Sequence, residues 1–164
     1  MKSPATAINE QILQTLQASG VVYQIRQHEP VVTIADVERV LQVPLEVTVK
    51  ALIVKTASGP VVAAIPGNRR LNKQKLAGVL GQSRKRLDLL RPEAVEKLIG
   101  LPIGAIPPFG LGLPVVLDSR LLQHERLYCG LGTNDQSLVI AAADLAQLAH
   151  ANVSDISDEI ERIC

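Results

Sequence analysis

The sequence predicts an α+β fold: a mixed, mostly antiparallel, barrel-like sheet with helices packed around it. Three observations lead there. The apolar runs VTVKALIVK (residues 47–55) and VVAAI (residues 61–65) flank the turn Ser58-Gly59-Pro60 and read as an antiparallel pair. Between such runs lie segments of helical periodicity, several bracketed by a capping residue or proline at the start and glycine at the end. Finally, 47% of the 164 residues are hydrophobic and only 2% aromatic. One core of Val, Leu, Ile and Ala is therefore expected, in a single domain over residues 1–164.

Ser3-Pro4 sets up the first helix, with Ile8, Ile12, Leu13 and Leu16 on one face and Gly20 as its stop. The stretch 21–27 alternates as a half-buried strand, and His28-Glu29-Pro30 turns the chain. Thr33 caps a second helix whose Ile34, Val37, Val40 and Leu41 are expected to face inward. After the strand pair, Asn72 caps a helix through Leu80 that ends at Gly81, and residues 84–89 read as another strand. Pro92 opens a helix that stops at Gly100. Three strands follow, at residues 114–117, 127–131 and 137–140, then a helix at 142–148 and a last short element around Val153 and Ile156.

Charge is balanced overall, at net +1, but not locally. Residues 69–91 carry Arg69, Arg70, Lys73, Lys75, Arg84, Lys85, Arg86 and Arg91 against Asp88 alone. Such a cluster suits a polyanion docking on one face, or simply a solvated surface. Cys129 and Cys164 signal neither a disulfide framework nor a zinc site, and a cytoplasmic location is the expectation. No apolar run approaches the ~20 residues of a membrane span. P-loop, dinucleotide and nucleophile-elbow motifs are missing, and His28, His124 and His150 lack zinc-ligand spacing, so neither metal nor cofactor is expected.

Two features carry chemistry. The first is the stretch from Gly100 to Asp118, GLPIGAIPPFGLGLPVVLD, too dense in glycine and proline for a helix or interior strand. It reads either as a shaped loop presenting main-chain N–H groups to a ligand or as a packed connector. The second is Lys50, one cation inside an apolar strand. It is either an edge lysine reaching water or a cation held at a pocket mouth. Together they suit oxyanion stabilisation on an activated ester better than cleavage of an amide.

With these residues in view the chain resembles the YbaK / prolyl-tRNA synthetase-associated editing domain family over nearly its full length. The resemblance rests on His28-Glu29-Pro30, VKALIVK with Lys50, IPGNRRLNKQKLA at 65–77, Gly100 and then GAIPPFGL at 104–111, PVVLD ending at Asp118, YCGLGTND from Tyr128, and ADLAQL. It implies a free-standing deacylase of mischarged aminoacyl-tRNA, acting on a small amino acid such as Ala or Cys on tRNA-Pro. A non-catalytic tRNA-end or nucleotide-binding module is the alternative.

The resemblance assigns Lys50 to the phosphate and terminal adenosine. It assigns Gly104, Ala105, Ile106, Pro107 and Pro108 to the loop that holds the aminoacyl group. His28, Gly100, Asp118 and Gly130 are placed on the substrate side, Asp118 in a structural or pocket-shaping role. Arg69, Arg70, Arg84 and Lys85 are the candidate tRNA contacts. The implied partners are mischarged aminoacyl-tRNA and a prolyl-tRNA synthetase. Ala51, Ala105 and Pro107 depart from commoner polar or glycine choices in the family, which bears on amino-acid specificity.

Overall fold

The computed structural model describes residues 3–102 and 104–160; Ile103 of the loop and Cys164 lie outside them. The Ser3 hydroxyl accepts from the Thr6 N–H to open α1 (Pro4–Ser19), and Gly20 closes it at φ +75°. After β1 (Tyr23–Gln27), a capping box between Thr33 and Asp36 starts α2 (Ile34–Leu41). A 3₁₀ turn, Leu45–Val47, leads into β2 (Val49–Thr56), which hairpins into β3 (Gly59–Pro66). Next come β4 (Arg69–Leu71), the Asn72-capped α3 (Lys73–Leu80), β5 (Asp88–Leu89) and α4 (Pro92–Ile99). The glycine-proline loop then feeds β6 (Val115–Asp118), followed by β7 (Arg126–Gly130), β8 (Gln136–Ala141), α5 (Ala142–Leu148), β9 (Asn152–Ser154) and β10 (Ser157–Glu159).

The architecture is α+β with mixed sheets. Five strands run in the order β5-β2-β3-β6-β9, three in the order β1-β8-β7, and β10 pairs with β4. The β3–β6 and β6–β9 pairings are parallel and the others antiparallel. A parallel bridge from Thr48, just before β2, to Tyr128 of β7 links the five-stranded sheet to the three-stranded one. The barrel-like character thus takes the form of linked, curved sheets rather than one closed barrel.

Burial on both faces explains why β3 reads as an unbroken apolar run. Val61, Ala63 and Ile65 pack under Leu76 and Ala77 of α3, while Val62 joins Ile53, Val95 of α4, Leu101 and Ile106 on the opposite side. A third cluster sets Ile12 and Leu16 of α1 against Leu127, Cys129, Leu138 and Ile140.

Two local readings differ from expectation. Residues 84–89 form a 3₁₀ turn (Arg84–Arg86) and the two-residue β5, because a run of three cations has no apolar alternation to hold it in a ladder. On α2 only Leu41 is buried, so Ile34 and Val37 do not join the core.

At the end of β6 the fully buried Asp118 carboxylate fastens the C-terminal strands. It accepts from the Arg120 N–H at 2.9 Å, the Ile156 N–H at 3.0 Å and the Ser157 hydroxyl at 2.8 Å. Outside this clamp, Asp155 receives Arg120 at 2.6 Å and Lys75 at 3.0 Å. The hydrogen bonds from Arg120 and then Lys75 pull the Asp155 carboxyl down to about 2.

Candidate functional site

Ile34 and Val37 point instead into a cavity of about 220 Å³, which brings four of the expected site residues together. Lys50, Gly104, Ile106 and Gly130 line it with Val32, Thr33, Ile34, Val37, Val49, Ala51 and Leu52. β2 supplies one wall, α2 the second, the glycine-proline loop the third, and the end of β7 the fourth.

The loop is seated by two close main-chain approaches. Gly104 has φ +86°, and a Cβ there would lie 2.5 Å from the Val31 carbonyl oxygen. A Cβ at Gly130 would lie 2.5 Å from the Ile106 carbonyl oxygen. Only glycine lets the loop rest on β7 at one point and on the chain before α2 at the other. The Ala105 N–H donates to the Pro102 carbonyl at 3.2 Å, and the Gly132 N–H to the Ala105 carbonyl at 2.9 Å. Ala105, Pro107 and Pro108 are buried behind the cavity wall. Among the described residues the Gly104 and Ile106 N–H groups have no hydrogen-bond acceptor.

Lys50 resolves into a half-buried lysine whose ammonium donates to the Arg69 carbonyl at 2.6 Å. Burial lowers its pKa from the ordinary 10.5. Within the wall the side chains are otherwise apolar or committed: the Thr33 hydroxyl already accepts from the Asp36 N–H at 3.1 Å. Among the described residues no carboxylate lines the cavity. The chemistry on offer is therefore main-chain donors and acceptors beside one cation.

The remaining expected residues lie elsewhere. His28 joins its own turn to β8, with Nδ1 2.6 Å from the Glu29 carbonyl oxygen and Nε2 2.8 Å from the Ser137 hydroxyl. Gly100 is the left-handed cap of α4, against Pro4. Asp118 sits in its clamp. The Arg69 guanidinium turns to Ser157, donating to its hydroxyl at 2.8 Å and its carbonyl at 3.1 Å. Arg69 also lines an open groove with Ile34, Asn68 and Glu159, beside the cavity because Ile34 belongs to both. Arg70 and Arg84 share a second groove with Lys73 and Asp158, and Lys85 is exposed next to it.

Sequence reasoning missed two parts of the cavity lining, the α2 wall and Ala51. The signal for the first was an apolar face too wide for an eight-residue helix that buries one residue.

A profile of the aminoacyl-tRNA editing domain family matches residues 28–148, a span that holds every residue of the cavity wall. The chain belongs to the aminoacyl-tRNA editing domain family. Among curated proteins, this editing domain is 39% identical to a proline–tRNA ligase of Thermosipho melanesiensis over 105 residues, 63% of this chain and 18% of that protein. With the proline–tRNA ligase of Fervidobacterium nodosum it shares 38% over 113 residues, 68% of this chain and 19% of that protein. It thus spans about a fifth of the length of these ligases.

Among solved structures, the hypothetical protein APE2540 superposes with a TM-score of 0.82 at 28% identity, covering 90% of this chain and 99% of that one. A candidate trans-editing enzyme for prolyl tRNA synthetase gives 0.79 at 23% identity, covering 96% and 99%, and shares the fold. Among the described residues no helix is long and apolar enough to cross a membrane.

Proposed function

We propose that this editing domain is a trans-acting deacylase that hydrolyses the ester of mischarged aminoacyl-tRNA, with a small amino acid such as alanine or cysteine on tRNA-Pro as substrate. The observation that carries the reading is that Lys50, Gly104 and Ile106 line one small cavity, and that the Gly104 and Ile106 N–H groups have no acceptor among the described residues. Two donors aimed at one carbonyl oxygen polarise an ester and stabilise the oxyanion that forms on it. The Lys50 ammonium holds the phosphate of the terminal nucleotide, and Arg70, Arg84 and Lys85 follow the acceptor stem.

Water supplies the nucleophile. Its oxygen bonds to the carbonyl carbon, the ester C–O bond breaks, and the proton passes to the departing ribose oxygen through the neighbouring ribose hydroxyl. The products are a free amino acid and uncharged tRNA. A wall of Val32, Ile34, Val37 and Ile106 admits a small side chain and crowds a large one.

The relatives' identity as proline–tRNA ligases favours tRNA-Pro, and a prolyl-tRNA synthetase is the enzyme whose errors this domain would correct. The test is single-turnover hydrolysis by the purified protein of tRNA-Pro carrying alanine, cysteine, proline or leucine. Turnover of the small, incorrect groups supports the proposal. Tight binding of charged tRNA with no acceleration of hydrolysis would leave a binding module instead.

A further inference from the structure

We infer that the main-chain carbonyl of Ala51 is the acceptor for the substrate's α-ammonium, so that the aminoacyl group docks as one added residue on an open edge of β2. The inference rests on the deacylase reading above and names how the same cavity recognises an amino acid.

The edge is defined by three observations. The Leu90 N–H donates to the Ile53 carbonyl at 3.0 Å, so Ile53 turns its main-chain polar groups away from β3. The Gly67 N–H donates to the Thr48 carbonyl at 3.0 Å, so Thr48 turns the opposite way. Alternation along an antiparallel pair then directs Ala51 outward with Ile53. On that outward side β5 is in register with Val54 and Lys55 and its neighbour Leu90 reaches Ile53, while the bridge to β7 is made at Thr48. Ala51 falls in the gap between the two, and it lines the cavity. Neither β5 nor β7 has a register partner at Ala51.

The occupant follows from the chemistry of the wall. An α-ammonium donates only and carries a full charge, so burying it requires acceptors. Among the described residues the cavity lining holds no carboxylate, its hydroxyl, Thr33 Oγ1, already accepts from the Asp36 N–H, and its ionised side chain, Lys50, repels an ammonium. Lys50 is paired across β2–β3 with Ile65 and bonded to Arg69, so its cation lies on the β4 side. The open carbonyl lies on the other edge. An aminoacyl ester presents a nitrogen donor and a carbonyl acceptor at the spacing of one strand residue, which is what an open strand edge pairs with. With its nitrogen on Ala51, its ester carbonyl is left for the loop N–H groups of Gly104 and Ile106.

The experiment compares tRNA-Pro charged with alanine, its desamino analogue propionate, and N-acetylalanine. Each enzymatic rate is divided by the spontaneous hydrolysis rate of the same ester, which removes the activating effect of the ammonium on the ester itself. Acceleration is expected to be about 10–10²-fold greater for alanyl than for propionyl esters, and negligible for N-acetylalanyl esters. Replacing Leu52 by its α-hydroxy acid makes the Ala51 carbonyl a weaker ester acceptor. That variant should shrink the alanyl-to-propionyl ratio. Should it not fold, the three-substrate comparison alone decides. Equal acceleration of alanyl and propionyl esters overturns the Ala51 assignment and leaves the deacylase standing. Failure to accelerate any of the three overturns both.

Discussion

The Lys50 ammonium lies 2.6 Å from the carbonyl oxygen of Arg69, so a cation on β2 is steadied by the main chain of β4, two strands further along the chain. That bond aims the charge without neutralising it. Lys50→Met keeps an apolar stem and removes the charge. Deacylation is expected to fall about 10–10²-fold, as for loss of a transition-state electrostatic contact. Melting should stay level or rise, because a desolvated charge is exchanged for apolar volume. The sign with pH follows from the lowered pKa. Holding the charge costs stability below the folded-state pKa, and this cost fades as pH climbs toward 10.5. The stability advantage of Lys50→Met should therefore narrow on going from neutral to alkaline pH, as followed by denaturant unfolding.

Gly104→Ala and Gly130→Ala test the loop's seat. Each Cβ would meet a carbonyl oxygen at 2.5 Å, and Gly104 carries the added strain of a positive φ. Both variants should lose about 10²–10³ in kcat by displacing the loop donors, with tRNA affinity nearly unchanged. Single-turnover rates beside a binding isotherm separate the two effects. A Gly104→Ala protein with full activity would remove the loop from the mechanism.

Charge reversal at Arg84 and Lys85 addresses the exposed basic surface. If the acceptor stem lies there, KM rises and the slope of log K against log salt becomes shallower by roughly one per lost phosphate contact. An unaltered slope returns these residues to solvent.

Asp118→Ala should be costly through the fold. It strands the Ile156 N–H and the Ser157 hydroxyl inside the protein, where each orphaned group costs about 1–3 kcal/mol. A large drop in denaturation midpoint is expected, with kcat per folded molecule retained. A normal midpoint with lost turnover would put Asp118 back beside the substrate.

Acid should loosen the same corner. Asp155, brought to about 2 by Arg120 and Lys75, contributes stability above its ordinary 3.8 and loses it as pH falls from 3.8 toward 2. Its side chain is 48% exposed, so screening limits the contribution to about 1 kcal/mol or less. Asp155→Asn should flatten the stability profile across that window, measured by urea unfolding at stepped pH.

Helix limits were legible because the signals are local. Ser3-Pro4 and Gly20, Asn72 and Gly81, and Pro92 and Gly100 mark ends that the structure places within a residue. β2 and β3 were legible from the apolar runs on either side of a glycine turn, which pair over eight positions. β4 was not, since Arg-Arg-Leu has no periodicity and exists as a strand only because Ser157–Glu159 pairs with it. At the cavity, Lys50 and Gly104 stood out as a charge and a glycine in unusual company. Ala51 did not, because its role belongs to the main chain and depends on where β5 stops and β7 bends away.

The pairing of β4 with β10 also governs when the protein can become competent during synthesis. The carbonyl that steadies Lys50 belongs to β4, whose ladder partner is β10, and Asp118 waits for Ile156 and Ser157. A nascent chain emerging from the ribosome can pair β2 with β3 early, but it lacks the strand that fixes Arg69 until Glu159 has cleared the exit tunnel. Editing competence should therefore arrive late and all at once, and a chain stalled after α5 should bind a misacylated tRNA end poorly.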